Sequence, residues 1–157
     1  MTGLRAPGGL LSCRLVAGPD ELATHHQIRN QTFVREQQLF AESDVDAYDA
    51  RGDVLHVLGW CGGVPAGTVR LYPLDPAEGT WQGDRLAVLP EFRAAGLGAP
   101  LVRFAVATAG RLGGVSMLAH VQVANERFFT RIGWTRQGGV ELYVGRSHVL
   151  MTIPLSP

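Results

Sequence analysis

Four features are scarce or missing in this chain, and each absence removes a class of protein. Cysteine occurs only twice in 157 residues, as Cys13 and Cys61. Two cysteines so far apart match no zinc-ligand spacing and make no disulfide framework, so they read as free thiols in a reducing compartment. Charge of one sign is not in excess, since 14 Lys+Arg face 14 Asp+Glu. The basic field or stripe that nucleic-acid binding uses is therefore missing. No run approaches the roughly 20 apolar residues of a membrane span, and the N-terminal MTGLRAPGGLLSCRL has no apolar core of signal-peptide type. Internal repeats and low-complexity linkers are absent too. The expectation is a soluble, cytoplasmic protein without nucleic-acid or membrane partners.

What is present suits a globular domain. A hydrophobic fraction of 46% against 18% charged argues against disorder. Residues 1–11 are glycine-rich and read as a flexible leader, leaving 12–157 as a single domain around one core. Ser12–Ala17 reads as a strand. Gly18-Pro19-Asp20-Glu21 starts a helix, because proline suits the first helical position and acids suit the positive end of the dipole; that helix runs to about Gln38. The acidic stretch AESDVDAYDARGD reads as a loop. Val54–Cys61 and Ala66–Tyr72 read as a hairpin around Gly62-Gly63-Val64-Pro65. PLDPAEGTWQGD reads as a second loop and Arg85–Leu89 as a strand. Leu97, Leu101, Ala105, Ala109 and Leu112 mark a helix over Ala94–Leu112, stopped by Gly113-Gly114. Ser116–Val123 is a strand and Asn125–Ile132 a short helix. Leu142–Val144 and His148–Ile153 close as an antiparallel pair joined by Gly145-Arg146-Ser147. The order β-α-loop-β-β-β-α-β-α-β-β is α/β with a mixed sheet.

The stretch that carries chemistry is LAVLPEFRAAGLGAPLV, Leu86–Val102, a strand leading through a short turn into a helix. Gly96 and Gly98 near the helix start let a ligand approach the backbone, the unpaired N–H groups there favour an anion, and Arg93 adds positive charge. The pattern is neither G-x-G-x-x-G nor a G-K-[ST] phosphate loop. Alone it would fit a strand-to-helix turn with glycines for packing as well as a diphosphate cradle.

Taken with its flanks it is more specific. R-x-x-G-x-G preceded by L-A-V-x-P-x-[FY] resembles the acetyl-coenzyme A motif of GNAT enzymes, and Asn125–Trp134 is similar to the same family's second region. Ile28-Arg29-x-x-Thr32-Phe33-Val34-Arg35-Glu36-Gln37, the spaced Asp44, Asp46 and Asp49, and His148-x-x-Met151 resemble ElaA-like members. Phrases such as REQQLF, GDRLAVLP and APLVRFAVATAG resemble a subfamily named for nitrogen starvation. The resemblance spans residues 14–155. It implies the GNAT fold: a mixed, mostly antiparallel sheet flanked by helices, with a V-shaped splay between two parallel strands. It implies acetyl-coenzyme A as co-substrate and a small-molecule amine as acceptor, and it leaves a homodimer open. Backbone groups of Ala87 and Val88 would pair with pantetheine, Arg93 and the N–H groups of Ala95, Gly96, Gly98 and Ala99 would hold the diphosphate, and Asn125 would bond the pantetheine or its strand.

Direct attack by an amine requires a base, a polarised carbonyl and a proton for the leaving thiolate. Phe129 stands where many members of the family have a tyrosine acid, so Tyr143 or water would supply that proton, or the thiolate would leave unassisted. The missing tyrosine also motivates a rival reading, a non-catalytic acyl-coenzyme A sensor. A signal synthase of acyl-homoserine lactone type is a further rival, set against the clear R-x-x-G-x-G here. His148 leads as the base, with a structural histidine bonding a loop as its competing reading. His120 alternates with Leu118 and Gln122 along its strand and reads first as a satisfied interior histidine, second as the base. Glu36 reads as the partner of Arg70 in a buried ion pair and as a reserve base. Glu42, Asp44, Asp46 and Asp49 read as a solvated acidic loop or as a lure for a cationic amine. Trp81 and Phe40 either line a pocket or pack. His25, His26 and His56 receive no role, and no metal site is expected.

Overall fold

The computed structural model describes residues 10–157 and has a mixed α/β architecture. In chain order the strands are β1 (Leu11–Leu15), β2 (Leu55–Cys61), β3 (Val64–Asp75), β4 (Thr80–Val88), β5 (Ser116–Gln122), β6 (Thr135–Tyr143) and β7 (Arg146–Pro154). The helices are α1 (Gly18–Arg29), α2 (Gly98–Arg111) and α3 (Glu126–Arg131). The strands form one seven-stranded sheet in the order β1-β2-β3-β4-β5-β7-β6. Every neighbouring pair is antiparallel except β4 with β5. Residues 1–9 of the expected leader lie outside the described residues, and Leu11 already begins β1. Among the described residues no helix is long and apolar enough to cross a membrane.

The element order is the expected one, but several boundaries move. PLDPAEGTWQGD is mostly strand, with only Pro76–Gly79 left as the turn between β3 and β4. Pro73 and Gly83 disguised it, and the register Tyr72↔Gln82 and Pro73↔Trp81 shows that pairing overrides local propensity there. The expected helix over Ala94–Leu112 is shortened: Pro90–Ala95 form a 3-10 turn, Gly96 is left-handed at φ 79°, and α2 begins at Gly98. β6 starts at Thr135, well before Leu142; it is the outer strand, with nearly every side chain exposed, so no apolar alternation marked it. The α1 helix starts with Pro19, Asp20 and Glu21 as expected, then continues as a π-helical turn over Asn30–Glu36.

The sheet buries both faces. Val57 and Cys61 of β2 join the core under α2, whereas Leu58 joins a smaller core with Ile28 and Phe33 under α1. Leu97 and Leu101 of the α2 region are fully buried, which stabilises the fold by about 1.5–3 kcal/mol each. Close docking of α2 depends on Gly67 in β3, where an added Cβ would lie 2.8 Å from the Ala87 carbonyl oxygen and 2.9 Å from Leu101. Alanine at position 67 would push α2 outward and move its N-terminus, which is part of the site described next.

Two irregularities open the sheet. β4 and β5 pair only at Thr80↔Ser116, Trp81↔Met117 and Gln82↔Leu118. Beyond that point β4 stays on β3 while β5 follows β7 to Gln122↔His148, so the two parallel strands splay. A bulge accompanies the splay: the register jumps from Arg70↔Asp84 to Thr68↔Ala87, and Arg85 adopts φ 54°. The Thr68 hydroxyl donates to the Arg85 carbonyl at 2.9 Å and pins this bend.

Candidate active site

A cavity of about 130 Å³ fills the splay. Its apolar wall comes from Val102 and Ala105 of α2, Phe129 of α3, and Trp134. Its opposite wall is polar, with Asp84, Arg85, His120, Gln122, Tyr143 and His148, and is closed over by Phe33, Leu39 and Phe40 from the segment after α1. Residues of both cores line it, so the cavity opens through the sheet where β4 and β5 part. Asn125 lies at its edge, while Trp81 packs into the core away from it. Phe40 and Trp81, alike in sequence context, are thus separated into a lining and a packing residue.

Between β4 and α2 lies the Arg93–Ala99 turn, flanked in the chain by Leu86 and Val102, which line the cavity. The N–H groups of Gly98 and Ala99 have no backbone acceptor, Pro100 has no N–H, and the first helical bond is from Leu101 to Leu97 at 3.1 Å. Nothing lies within 4 Å of a Cβ built on Gly96, so the turn faces open space. Gly96 is required by its positive φ; Gly98 is not, and a Cβ there would meet only the Phe128 ring, at 3.5 Å. Outward donors and a helix dipole over open space fit a diphosphate. Ala87 and Val88 are bound to β3 through Thr68 and Gly67 on one side and have no strand partner on the splayed side.

Arg93 is not the free charge expected from the motif. Its Nη1 and Nη2 donate to Glu36 at 2.7 and 2.6 Å, and its Nε donates to the Val88 carbonyl at 2.9 Å. The expected Glu36–Arg70 pair does not form. Glu36 sits at the exposed end of the π-helical turn, and the Arg93 hydrogen bonds hold its carboxyl below the ordinary glutamate range. That is the opposite of what a base at neutral pH needs.

The polar wall brings together the histidines and the tyrosine. His148 is buried, and its Nδ1 lies 2.8 Å from the Arg146 carbonyl. A carbonyl only accepts, so Nδ1 carries the proton and Nε2 keeps the lone pair. The two readings of His148 are therefore compatible: one nitrogen bonds the loop, the other is basic. His120 is not the satisfied interior histidine expected. Its Nδ1 is buried without a partner, its ring lines the cavity, and burial lowers its pKa. Tyr143 stacks on His120 with centroids 4.2 Å apart, and lies edge-on to His148 at 5.3 Å. Burial raises the pKa of Tyr143, with the Asp84 charge adding to it, so its hydroxyl stays protonated near neutral pH. Phe129 packs edge-to-face on Trp134 and brings no hydroxyl.

Beneath this wall the acidic segment is not a solvated loop. The side chains of Asp44 and Asp49 are buried in a network with Arg29, Arg70 and Arg85. Arg29 donates from Nε to Asp44 at 2.7 Å and from Nη1 and Nη2 to Asp49 at 2.7 and 2.9 Å. Arg70 is held by Asp46, Asp49 and Asp84, and Arg85 by Asp44 and Asp46. Four aspartates against three arginines leave one negative charge in excess. Glu42 alone of the four acids considered has only its backbone carbonyl engaged, by Asn30. Asp84, Arg85 and Arg29 were not singled out as site residues from sequence; a bulge and a 15-residue chain separation (Arg29 to Asp44) bring them together, and neither leaves a local pattern.

His26, Asp49 and His56 lie close enough for one ion to touch all three. Asp49 is already the shared acceptor of two guanidinium groups and of His56 Nε2 at 2.9 Å, so a cation would meet like charge there. His25 is buried beside them, and desolvation together with Arg29 pushes its pKa down to about 2.

Residues 22–134 match the family described as Acetyltransferase (GNAT) family. A protein of Bacillus subtilis (strain 168), provisionally named an acetyltransferase, is 27% identical over 143 residues, which are 90% of this chain and 95% of the relative. Among solved structures, Escherichia coli ElaA superposes with a TM-score of 0.80 at 21% identity, covering 91% of this chain and 99% of its own. An acyl-CoA N-acyltransferase from Pseudomonas aeruginosa gives 0.76 at 26%, covering 91% and 97%.

Proposed function

The chain belongs to the acetyltransferase (GNAT) family and is an acyltransferase, and on that premise we propose that it transfers the acetyl group of acetyl-coenzyme A to the primary amine of a small molecule by direct attack. One observation carries this reading. The cavity in the β4–β5 splay is lined by Leu86 and Val102, on either side of the turn that carries the unpaired Gly98 and Ala99 N–H groups, and has a basic imidazole nitrogen in its wall.

The residues divide the work as follows. The N–H groups of Gly98 and Ala99, with the α2 dipole, hold the diphosphate. The edge of β4 at Ala87 and Val88, which no strand covers, holds the pantetheine arm with Asn125. His148 Nε2 takes a proton from the acceptor's ammonium, leaving an amine whose nitrogen bonds to the acyl carbon as the C–S bond breaks. Tyr143, protonated and in the same wall, supplies the proton to the thiolate, and the second proton that the nitrogen loses as the amide forms restores the tyrosine hydroxyl. Phe129 takes no part, and a thiolate is a tolerable leaving group, so catalysis does not depend on the tyrosine it replaces. The surplus negative charge of the aspartate–arginine network, with Asp84 lining the cavity, favours a cationic acceptor.

The test is thiol release from acetyl-coenzyme A across a panel of primary amines, with coenzyme A binding measured separately by calorimetry. All 14 basic residues are arginine, so no lysine side chain can be acylated and mistaken for turnover. Amine-dependent release supports the reading. Binding without release for any amine would make the protein an acyl-coenzyme A sensor.

A further inference from the structure

We propose that Glu36 is a built-in competitor for the coenzyme's diphosphate, holding Arg93 of the turn before α2 so that binding must draw Arg93 away from it. This rests on the reading of the Arg93–Ala99 turn as the diphosphate site. Arg93 is the basic residue of that turn, and its guanidinium is taken at both Nη atoms by Glu36, at 2.7 and 2.6 Å. The pair is partly open to solvent, with side-chain exposures of 45% and 35%, so water and an incoming anion reach it. Arg93 is also tethered by its Nε to Val88, the last residue of β4, at 2.9 Å. Losing Glu36 would therefore leave the guanidinium beside the turn and uncompensated.

The neighbouring residue shows why Glu36 is free to act this way. Gln37 fastens the segment to the other arm of the splay: Gln122 Nε2, at the end of β5, donates to Gln37 Oε1 at 3.0 Å. Arg146 donates to the Gln37 carbonyl at 2.5 Å, and the Arg146 carbonyl orients His148. Consecutive side chains thus reach the C-terminal ends of β4 and β5 separately. The Gln37 bonds hold the segment in place when the Glu36–Arg93 pair opens. The acceptor side keeps its geometry while the coenzyme side exchanges one anion for another. Glu36 is then a positioning residue that lowers coenzyme affinity through Arg93.

Calorimetry with coenzyme A on the wild type, Glu36→Gln, Arg93→Gln and the double variant tests this. Glu36→Gln keeps the shape and removes the charge; it should bind about two- to fivefold tighter, the scale of an exposed ion pair, with a steeper salt dependence. The gain should vanish in the Arg93→Gln background. Arg93→Gln should cost less affinity in the wild type than in Glu36→Gln, because its charge is already cancelled there. A purely structural Glu36 would give unchanged or weaker binding on substitution, and that result overturns the proposal, as does a gain that survives without Arg93. Should the wild type fail to bind coenzyme A at all, or Gly96→Val bind it undiminished, the turn is not the diphosphate site and both readings fall.

Discussion

Replacing His148 by asparagine separates its two roles. The amide nitrogen of the new side chain would sit near the position of Nδ1 and keep donating to the Arg146 carbonyl, now met at 2.8 Å, while the basic nitrogen disappears. Alanine instead would leave that carbonyl without its donor in a position only 5% exposed, a loss of about 1–3 kcal/mol in stability. His148→Asn should therefore melt close to the wild type, and His148→Ala several degrees lower. For catalysis the two should agree. Loss of a general base lowers kcat/KM by roughly 10²–10⁴-fold, or about 3–5 kcal/mol of transition-state free energy. Coenzyme A affinity should stay within about twofold, since His148 lines the cavity and the proposed diphosphate turn lies outside that lining. The assay is steady-state thiol release on protein shown to be folded. Retention of the rate in His148→Asn would refute the assignment. His120 would then be the base, and the acidic limb of the pH–rate profile would lie below the ordinary histidine range, because burial lowers its pKa and a base with a lower pKa stays deprotonated to lower pH.

Tyr143→Phe keeps the stack on His120 and removes only the hydroxyl; kcat should fall about tenfold, the modest end for a general acid whose leaving group is a thiolate, and an unchanged kcat would assign the proton to water. Gly96→Val forces a branched side chain to φ 79°, costing about 1–2 kcal/mol and distorting the turn, so coenzyme A affinity should drop in calorimetry, whereas Gly98→Ala should leave it nearly unchanged. Arg29→Met strips donors from Asp44 and Asp49 inside the protein and should cost about 3–5 kcal/mol, or roughly 10 °C in melting temperature. The same network sets acid stability. Burial alone would raise the Asp49 pKa, but hydrogen bonds from His56 and Arg29 outweigh it and hold the group far below the ordinary carboxylate range. A folded pKa below the unfolded one contributes stability above the unfolded pKa, which is lost as pH falls below it. Denaturant midpoints should therefore decline below about pH 4, and less steeply in Asp49→Asn.

The parts of the site that could be read in advance are those made within one short stretch of chain. The turn before α2 needs a residue able to hold φ 79° and a helix start with unpaired N–H groups; both are written in Gly96-Leu97-Gly98. The order of strands and helices was readable for the same reason, since apolar spacing and glycine breaks are local. β6 was cut short because an edge strand with exposed side chains needs no apolar alternation, only a partner in β7. The start of β4 was missed because Trp81, Gln82 and Gly83 become strand by pairing with Pro73, Tyr72 and Leu71.

Charge pairing was beyond the sequence. Glu36 and Arg70 looked like partners, yet Glu36 reaches Arg93, 57 residues away, and Arg70 is enclosed by Asp46, Asp49 and Asp84. An arginine and a carboxylate attract at any separation in sequence, so composition offers many pairings and only the packed backbone selects among them. The bulge at Arg85 and the two-nitrogen role of His148 have the same origin. By itself the sequence determined the order of elements, the glycine turn before α2 and the family. Only the tertiary structure decided which carboxylates are buried, which histidine nitrogen is basic and where the sheet opens, because each depends on groups that meet across the sheet rather than along the chain.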